Sequence, residues 1–186
     1  AQAFAGDVRD DKAIRACVDA ARQHSGHIDV LINNAGIYPR QNFLEMTEKQ
    51  WDEMLDINLK GMYRWAKAVV PHMLSQGSGK IVNISSVLFF VGPKNLSHYA
   101  ASKGGIIGLT RALAREMGEK NIYVNCITPG AILVEAERKV ATEEQVREVV
   151  ALQSLKRRLL PIDVARVCLF LSSPLSDGMT GQTLNV

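Results

Sequence analysis

The sequence predicts a doubly wound α/β fold built on an open parallel sheet. Three observations carry that reading. Apolar runs of strand length alternate with longer amphipathic stretches; the runs are near-continuous Val, Ile and Leu, as strands buried on both faces require; and Gly, Pro, Ser and Asn gather at their carboxyl ends. Ligands of such a sheet bind beyond the carboxyl ends of its strands. The polar ends of the runs therefore mark where a site is expected.

The runs are DVLINNAG (29–36), GKIVNISS (79–86), NIYVNCITPG (121–130) and QTLNV (182–186). Between them the helix signals fall where crossovers are needed. Asp10 suits the cap of a helix reaching about Gln23. Thr47 with Gln50 has capping-box spacing ahead of Trp51, Met54 and Leu55, and a further helix is predicted from Leu59 to Ser75 despite Pro71. A helix over His98–Met117 follows the second run. Thr142 with Gln145 repeats the capping-box spacing, and Pro161 sits at a first helical turn before Asp163 to Leu171. Neither a repeat nor an interdomain linker interrupts the pattern, so one domain over residues 1–186 is expected.

Bulk properties exclude several functions. The 22 basic and 19 acidic side chains nearly cancel and are scattered apart from Lys156, Arg157 and Arg158, a poor footprint for nucleic acid. No apolar run approaches the roughly 20 residues that span a bilayer. The expectation is a soluble cytoplasmic protein without membrane or nucleic-acid partners. Cys17, Cys126 and Cys168 have neither framework nor zinc-site spacing, and the four histidines have no paired metal spacing, so no metal is expected.

The chemistry centres on HYAASKG, residues 98–104. On a helix, Tyr99 and Lys103 at i and i+4 share a face one turn apart. A phenol of pKa about 10 exchanges protons poorly at neutral pH, but a neighbouring ammonium favours the phenolate and lowers it. Taken alone, a YxxxK pair is common on surface helices. Its surroundings give it weight.

Those surroundings are Asp7-Val8, NNAG at 33–36, Asn58 in INLKG, VNISS ending at Ser86, YAASK at 99–103 and VNCITPG ending at Gly130. In this order they resemble the short-chain dehydrogenase/reductase family, from about Asp7 to Val186. The resemblance implies a Rossmann-like fold and an NAD- or NADP-dependent oxidoreductase interconverting a secondary alcohol and a ketone. It implies that Tyr99 is the acid or base, that Ser86 binds the same substrate oxygen, and that Lys103 holds the nicotinamide ribose and depresses the tyrosine pKa. Asn58 would position a water in the relay to Lys103. Asp7 and the backbone of Val8 resemble the adenine contacts; Asn34, Ala35 and Gly36 resemble the segment along the adenosine ribose; Pro129, Gly130 and Ile132 resemble that beside the nicotinamide. A homotetramer or homodimer is implied, pairing the helices near 59–75 and 98–117 in one interface and the C-terminal helix and strand in another.

Structural roles compete with several of these assignments. Asn33 and Asn34 suit backbone satisfaction at a strand end, Asn58 suits a bridge between neighbouring segments, Asp7 suits a loop cap, and Ser86 a strand-end hydroxyl. A hydrolase using Ser86 and His98 lacks the GxSxG elbow. A noncatalytic scaffold on the same fold would show erosion of Asn58, Ser86, Tyr99 or Lys103, and all four are intact.

Departures from the family pattern also carry expectations. Relatives open with a strand, a TGxxxGxG turn, a helix and a second strand that selects the cofactor; none of this precedes Ala1, and relatives usually continue past LNV with DGG. The expectation is a partial fold lacking two βα units and the extreme C-terminus, with a third family strand near Phe4 deprived of its neighbour, an open edge at Val30–Asn33, and no activity in the isolated chain. The choice between NAD and NADP is then unreadable. Val134 stands where relatives often carry Thr. Phe89 replaces a common glycine, and Leu88 and Phe89, with Tyr38, are expected to line a pocket for a flat or apolar substrate, packing being the alternative. Residues Leu133–Leu155 resemble the substrate lid, with Glu135, Glu137, Arg138 and Lys139 between apolar positions.

Overall fold

The structure is a computed structural model that describes residues 1–134 and 142–186. Strands β1 (Val30–Asn33), β2 (Gly79–Ile84), β3 (Ile122–Thr128) and β4 (Thr183–Asn185) form one sheet in the order β1-β2-β3-β4 with every pair parallel. Parallel neighbours require crossovers, and helices supply them. Helix α1 (Asp11–Ser25) precedes β1; α2 (Glu48–Leu55) and α3 (Gly61–Gln76) link β1 to β2; α4 (Leu88–Val91) and α5 (Ser97–Met117) link β2 to β3. Helices α6 (Glu143–Leu152) and α7 (Pro161–Ser172) precede β4.

Local chemistry sets the helix starts. Asp10 Oδ1 accepts from the amides of Lys12 and Ala13 at 2.8 and 3.3 Å. Thr47 with Gln50 and Thr142 with Gln145 close reciprocal capping boxes. Pro161 opens α7, where Asp163 Oδ2 accepts from the Leu160 amide at 2.8 Å.

The two faces of the sheet are covered unequally. Ile81, Ile122 and Val124 pack against Val69 and Met73 of α3 and Ala114 of α5, all buried. Val82, Ile84 and Ile127 on the other face meet Leu171 of α7. Ile32 pairs in register with Val82 and so points to that second face, yet it is 47% exposed. Among the described residues strand β1 bonds to β2 alone, which leaves its other edge without a partner strand there.

Two expectations are corrected. Residues 1–10 contain no strand, and Phe4 is 52% exposed. A strand needs a hydrogen-bonded neighbour, and residues 1–10 pair with none of the four strands. The helix expected from Leu59 instead continues from α2 through a π-turn, Asp56–Lys60, in which the Gly61 amide bonds to Asp56 O. Such an inserted turn offsets the residues within it from the regular helical stripe. Asn58 lies inside it, fully buried.

Candidate active site

The carboxyl ends of β2 and β3 meet the amino-terminal part of α5. The Val87 amide donates to Pro129 O at 3.1 Å and the Gly130 amide to Val186 O at 2.7 Å, drawing the chain leaving β3 beside the end of β2. A cleft of about 210 Å³ results, lined by Asn34, Gly36, Ile37, Tyr38, Ile84, Ser85, Ser86, Tyr99, Lys103, Pro129 and Gly130. A larger hollow of about 610 Å³ between α1 and α3 lies away from the strand ends, with side chains of both signs on its wall. The strand-end cleft is where the predicted groups converge.

Lys103 is buried and its Nζ donates to Ile84 O at 2.9 Å. Ser85 Oγ donates to Lys103 O at 2.7 Å, so strand and helix grip each other in both directions. Burial brings the Lys103 ammonium down to about 8, with the nearby Cys126 pulling the other way. The ammonium also stands 5.5 Å from the centroid of the Tyr99 ring. Burial pushes the Tyr99 phenol above its ordinary value; the Ser86 side chain opposes that as a hydrogen-bond partner, and Tyr38 adds to it. The expected depression of the tyrosine by Lys103 is thus not what this arrangement gives. Desolvation is the larger effect on both groups, because little water reaches either.

Tyr38 meets the Tyr99 ring edge-on, with centroids 6.4 Å apart and planes at 65°. Ser86 Oγ accepts from the Leu88 amide at 3.2 Å, which opens α4 and fixes the hydroxyl's position. Leu88 and Phe89 are not part of the cleft wall. The Phe89 ring instead lies on α5 over Gly104, where a Cβ would come within 2.5 Å of Cε2. Phe90 packs edge-on to Phe89 and is 59% exposed.

Asn58 ties the loop after β1 to the helices. Its Oδ1 accepts from the Ile37 amide at 2.8 Å, and its Nδ2 faces Ile37 O at 2.9 Å and Ser102 Oγ at 3.2 Å. Gly36 is drawn in so far that a Cβ there would lie 3.1 Å from Asn58 Oδ1 and 3.7 Å from Lys103 Nζ. A side chain at position 36 would fill the space beside the ammonium. The missing Cβ leaves a concave seat with a buried lysine at its floor, which fits a polar ring or sugar laid flat.

The remaining predicted residues are placed as follows. Asn34 lines the cleft while Ala35 is exposed beside it. Asp7 accepts from the Arg9 amide at 2.9 Å and from its guanidinium at 2.6 to 3.0 Å, and this partner holds its carboxyl down to about 2. Arg9 also reaches Glu53 at 3.5 Å. The Val8 side chain packs on Gly61 of α3, where a Cβ would be 3.0 Å away. Ile132 lies outside the cleft wall and bridges Leu159. Glu135, Glu137, Arg138 and Lys139 of the expected lid lie outside the described residues.

Ser85 belongs to the polar strand end where the sequence placed the site, and it shares a sheet face with Ile81 and Asn83 toward α5. Two groups at the site were not anticipated. The Ile84 carbonyl and the Ile37 backbone act through peptide groups, which leave no side-chain signature.

Comparison with known proteins finds a matching family model and several similar enzymes. A family model described as enoyl-(acyl carrier protein) reductase matches residues 1–186. A probable galactose dehydrogenase of Rhizobium meliloti is 42% identical over 179 residues, covering 96% of this chain and 70% of that protein. The 2-dehydro-3-deoxy-D-gluconate 5-dehydrogenase of Escherichia coli is 38% identical over 182 residues, covering 97% and 72%. A 3-oxoacyl-(acyl-carrier-protein) reductase of Thermotoga maritima is 40% identical over 181 residues, covering 97% and 73%.

Proposed function

The chain belongs to the short-chain dehydrogenase/reductase family of NAD(P)-dependent oxidoreductases, and from that premise we propose that it interconverts a secondary alcohol and a ketone with Tyr99 as the acid and base. The observation that carries the reading is the convergence of Tyr99, Lys103 and Ser86 on one strand-end cleft, with buried Asn58 behind it.

When bound, the nicotinamide cofactor supplies the hydride. The residues fit its nicotinamide-ribose half: the seat over Gly36, flanked by Asn34, Pro129 and Gly130, offers a flat floor, and Lys103 offers a cation for ribose hydroxyls. Tyr99 gives its proton to the carbonyl oxygen in reduction or takes it from the hydroxyl in oxidation, while Ser86 holds the same oxygen. A phenol raised by burial is a reluctant base and a ready donor only to a group that is becoming negative. Lys103 would hold a ribose hydroxyl of the cofactor, and its positive charge near the Tyr99 ring would favour the phenolate. Asn58 keeps the Gly36–Ile37 loop in place and, on this reading, holds a water in the relay to Lys103.

The relatives' names, a galactose dehydrogenase, a keto-sugar-acid dehydrogenase and a 3-oxoacyl reductase, share alcohol–carbonyl exchange and differ in the rest of the substrate. On the substrate side Tyr38 has the strongest support, since it stands against Tyr99. Asp7, Val8, Ala35 and Ile132 are proposed cofactor contacts by resemblance. An assembly through the C-terminal helix is supported by Ile162, Leu169 and Leu175, which are 51, 70 and 81% exposed. No helix among the described residues is long and apolar enough to cross a membrane.

The 186 residues carry no TGxxxGxG turn for a pyrophosphate, so we expect them alone to hold the cofactor weakly. The test is Tyr99→Phe in a version extended at Ala1 by the leading βα units of a relative. Turnover should fall by roughly 10²–10⁴-fold while NAD(P)H binding, read by fluorescence, changes little. Retention of turnover in Tyr99→Phe would sink the assignment.

A further inference from the structure

Three consecutive residues at the end of β2 and just beyond it, Asn83, Ile84 and Ser85, engage α5 at two heights. At the cleft, Lys103 Nζ bonds to Ile84 O and Ser85 Oγ to Lys103 O, as described above. Deeper in the core, Asn83 Nδ2 donates to Thr110 Oγ1 at 3.0 Å. Thr110 follows Lys103 by two helical turns, about 10.5 Å along the axis and on the same face.

This lower contact belongs to a chain that crosses three elements. Asn33 Nδ2 of β1 donates to Asn83 Oδ1 of β2 at 2.9 Å, and the Thr110 hydroxyl donates on to Ile106 O at 2.8 Å. Asn33, Asn83 and Thr110 are 6, 1 and 0% exposed. Each donor in the chain meets an acceptor, so the direction of every bond is set by its neighbours. The surroundings are buried and mainly apolar: Cys126 is the β3 partner of Asn83, the Ile81–Val124 pair lies two residues back in the sheet, and Ile106 lies on the helix.

Apolar contacts alone would allow α5 to slide along β2 by a fraction of an ångström, because they are non-directional. A hydrogen bond near 3.0 Å weakens steeply with misalignment, and a buried amide left without its partner is penalised. The Lys103 side chain is itself part of the reacting set, so of the two cleft bonds only that of Ser85 Oγ to Lys103 O holds the helix backbone, and the Asn83–Thr110 bond two turns away is the second fixed point.

We propose that Asn83 and Thr110 are positioning residues: their hydrogen bond sets the height of α5 on β2, and with it the placement of Tyr99 and Lys103 relative to Ser86. This rests on the assignment of Tyr99, Lys103 and Ser86 given above. Asn33 acts one step back, holding the Asn83 amide in the orientation that presents its N–H to the helix.

The test reads Lys103 directly and needs no turnover. Its side-chain titration is followed by NMR of isotopically labelled lysine in the 186-residue protein, with Lys103→Met to assign the signal. Thr110→Val keeps the side-chain shape and removes the acceptor; Thr110→Ser keeps the acceptor. The Lys103 midpoint, about 8 in the parent, should rise in Thr110→Val by about half a pH unit or more as water reaches the ammonium, and Thr110→Ser should restore it to within about 0.2. Asn33→Ala, at the thinly covered edge strand, should shift the midpoint in the same direction and serves if Thr110→Val does not fold. A lowered melting temperature with the Lys103 midpoint unmoved in both variants would reduce the chain to a structural role and overturn the proposal. The catalytic assignment fails separately, by active Tyr99→Phe.

Discussion

Lys103 Nζ is bonded to the carbonyl oxygen of Ile84 at 2.9 Å, so the cation at the centre of the site is held by the strand and not by the tyrosine one turn before it. The consequence is a depressed lysine, near 8, beside a raised phenol, which reverses the simple expectation for a Tyr–Lys pair. The sign of the pH effect follows. Between about 8 and 10.5 the unfolded chain keeps the lysine proton that the folded chain has lost, so the Lys103 contribution to stability rises with pH across that window. Cys126, raised to about 11 by burial, acts oppositely above 9. Lys103→Met should therefore be more stable than the parent at pH 7, by on the order of 1–3 kcal/mol, with the difference closing by pH 10. Urea unfolding at pH 7, 8.5 and 10 checks this. A difference that does not change with pH would show that Lys103 titrates normally.

Asn58 is predicted to matter to the fold before it matters to any reaction. Its amide links the π-turn to the Ile37 backbone in both directions, at 2.8 and 2.9 Å. Asn58→Ala strands both peptide groups of Ile37, each at roughly 1–3 kcal/mol where water cannot replace the lost partner. The expected loss is about 2–4 kcal/mol in denaturant unfolding, with weaker protection of the Ile37 amide in hydrogen exchange. A loss below about 0.5 kcal/mol would mean that the loop keeps its place without the bridge.

Among the described residues strand β1 pairs with β2 alone, and Ile32 adds exposed apolar surface at the end of the second face, beyond the part that α7 covers. Ile32→Thr keeps a β-branched residue and removes most of that apolar surface. Self-association of the 186-residue chain should fall, seen as a lower weight-average mass in concentration-dependent sedimentation, while stability changes by no more than about 0.5 kcal/mol. Unchanged association would place the sticky surface elsewhere.

Much of this was legible in the sequence because side chains announced it. The four strands and the caps at Asp10, Thr47 and Thr142 follow from residue type and spacing, and the meeting of Tyr99, Lys103 and Ser86 from the resemblance that their motifs carry. What escaped was carried by peptide groups or by neighbours distant in sequence. The π-turn that buries Asn58 has no side-chain signature, the Ile84 carbonyl cannot be read from an isoleucine, and Asp7, legible as a loop cap, shows its ion pair only once Arg9 folds back onto it. The strand expected near Phe4 failed for a related reason: its sequence was suitable, but pairing is a property of the partner.

Phe89 is a case where one sequence observation allowed two structural outcomes. Replacing a small residue there was expected to line the pocket or to be absorbed by packing, and the ring lies over Gly104, which carries no Cβ to oppose it. The two positions should therefore be energetically coupled. Gly104→Ala places a methyl 2.5 Å from Phe89 Cε2 and must displace the ring or the helix. Overpacking of this kind costs typically 1–3 kcal/mol, roughly offset by the better helix propensity of Ala only to the extent of about 1 kcal/mol. In the Phe89→Ala background the clash is gone, so Gly104→Ala should become neutral or stabilising there. Thermal unfolding of the two single variants and the double variant gives the coupling directly, expected at about 1–3 kcal/mol. A coupling near zero would mean that Phe89 swings freely off α5, and the ring would then be available to line the cleft as a substrate contact.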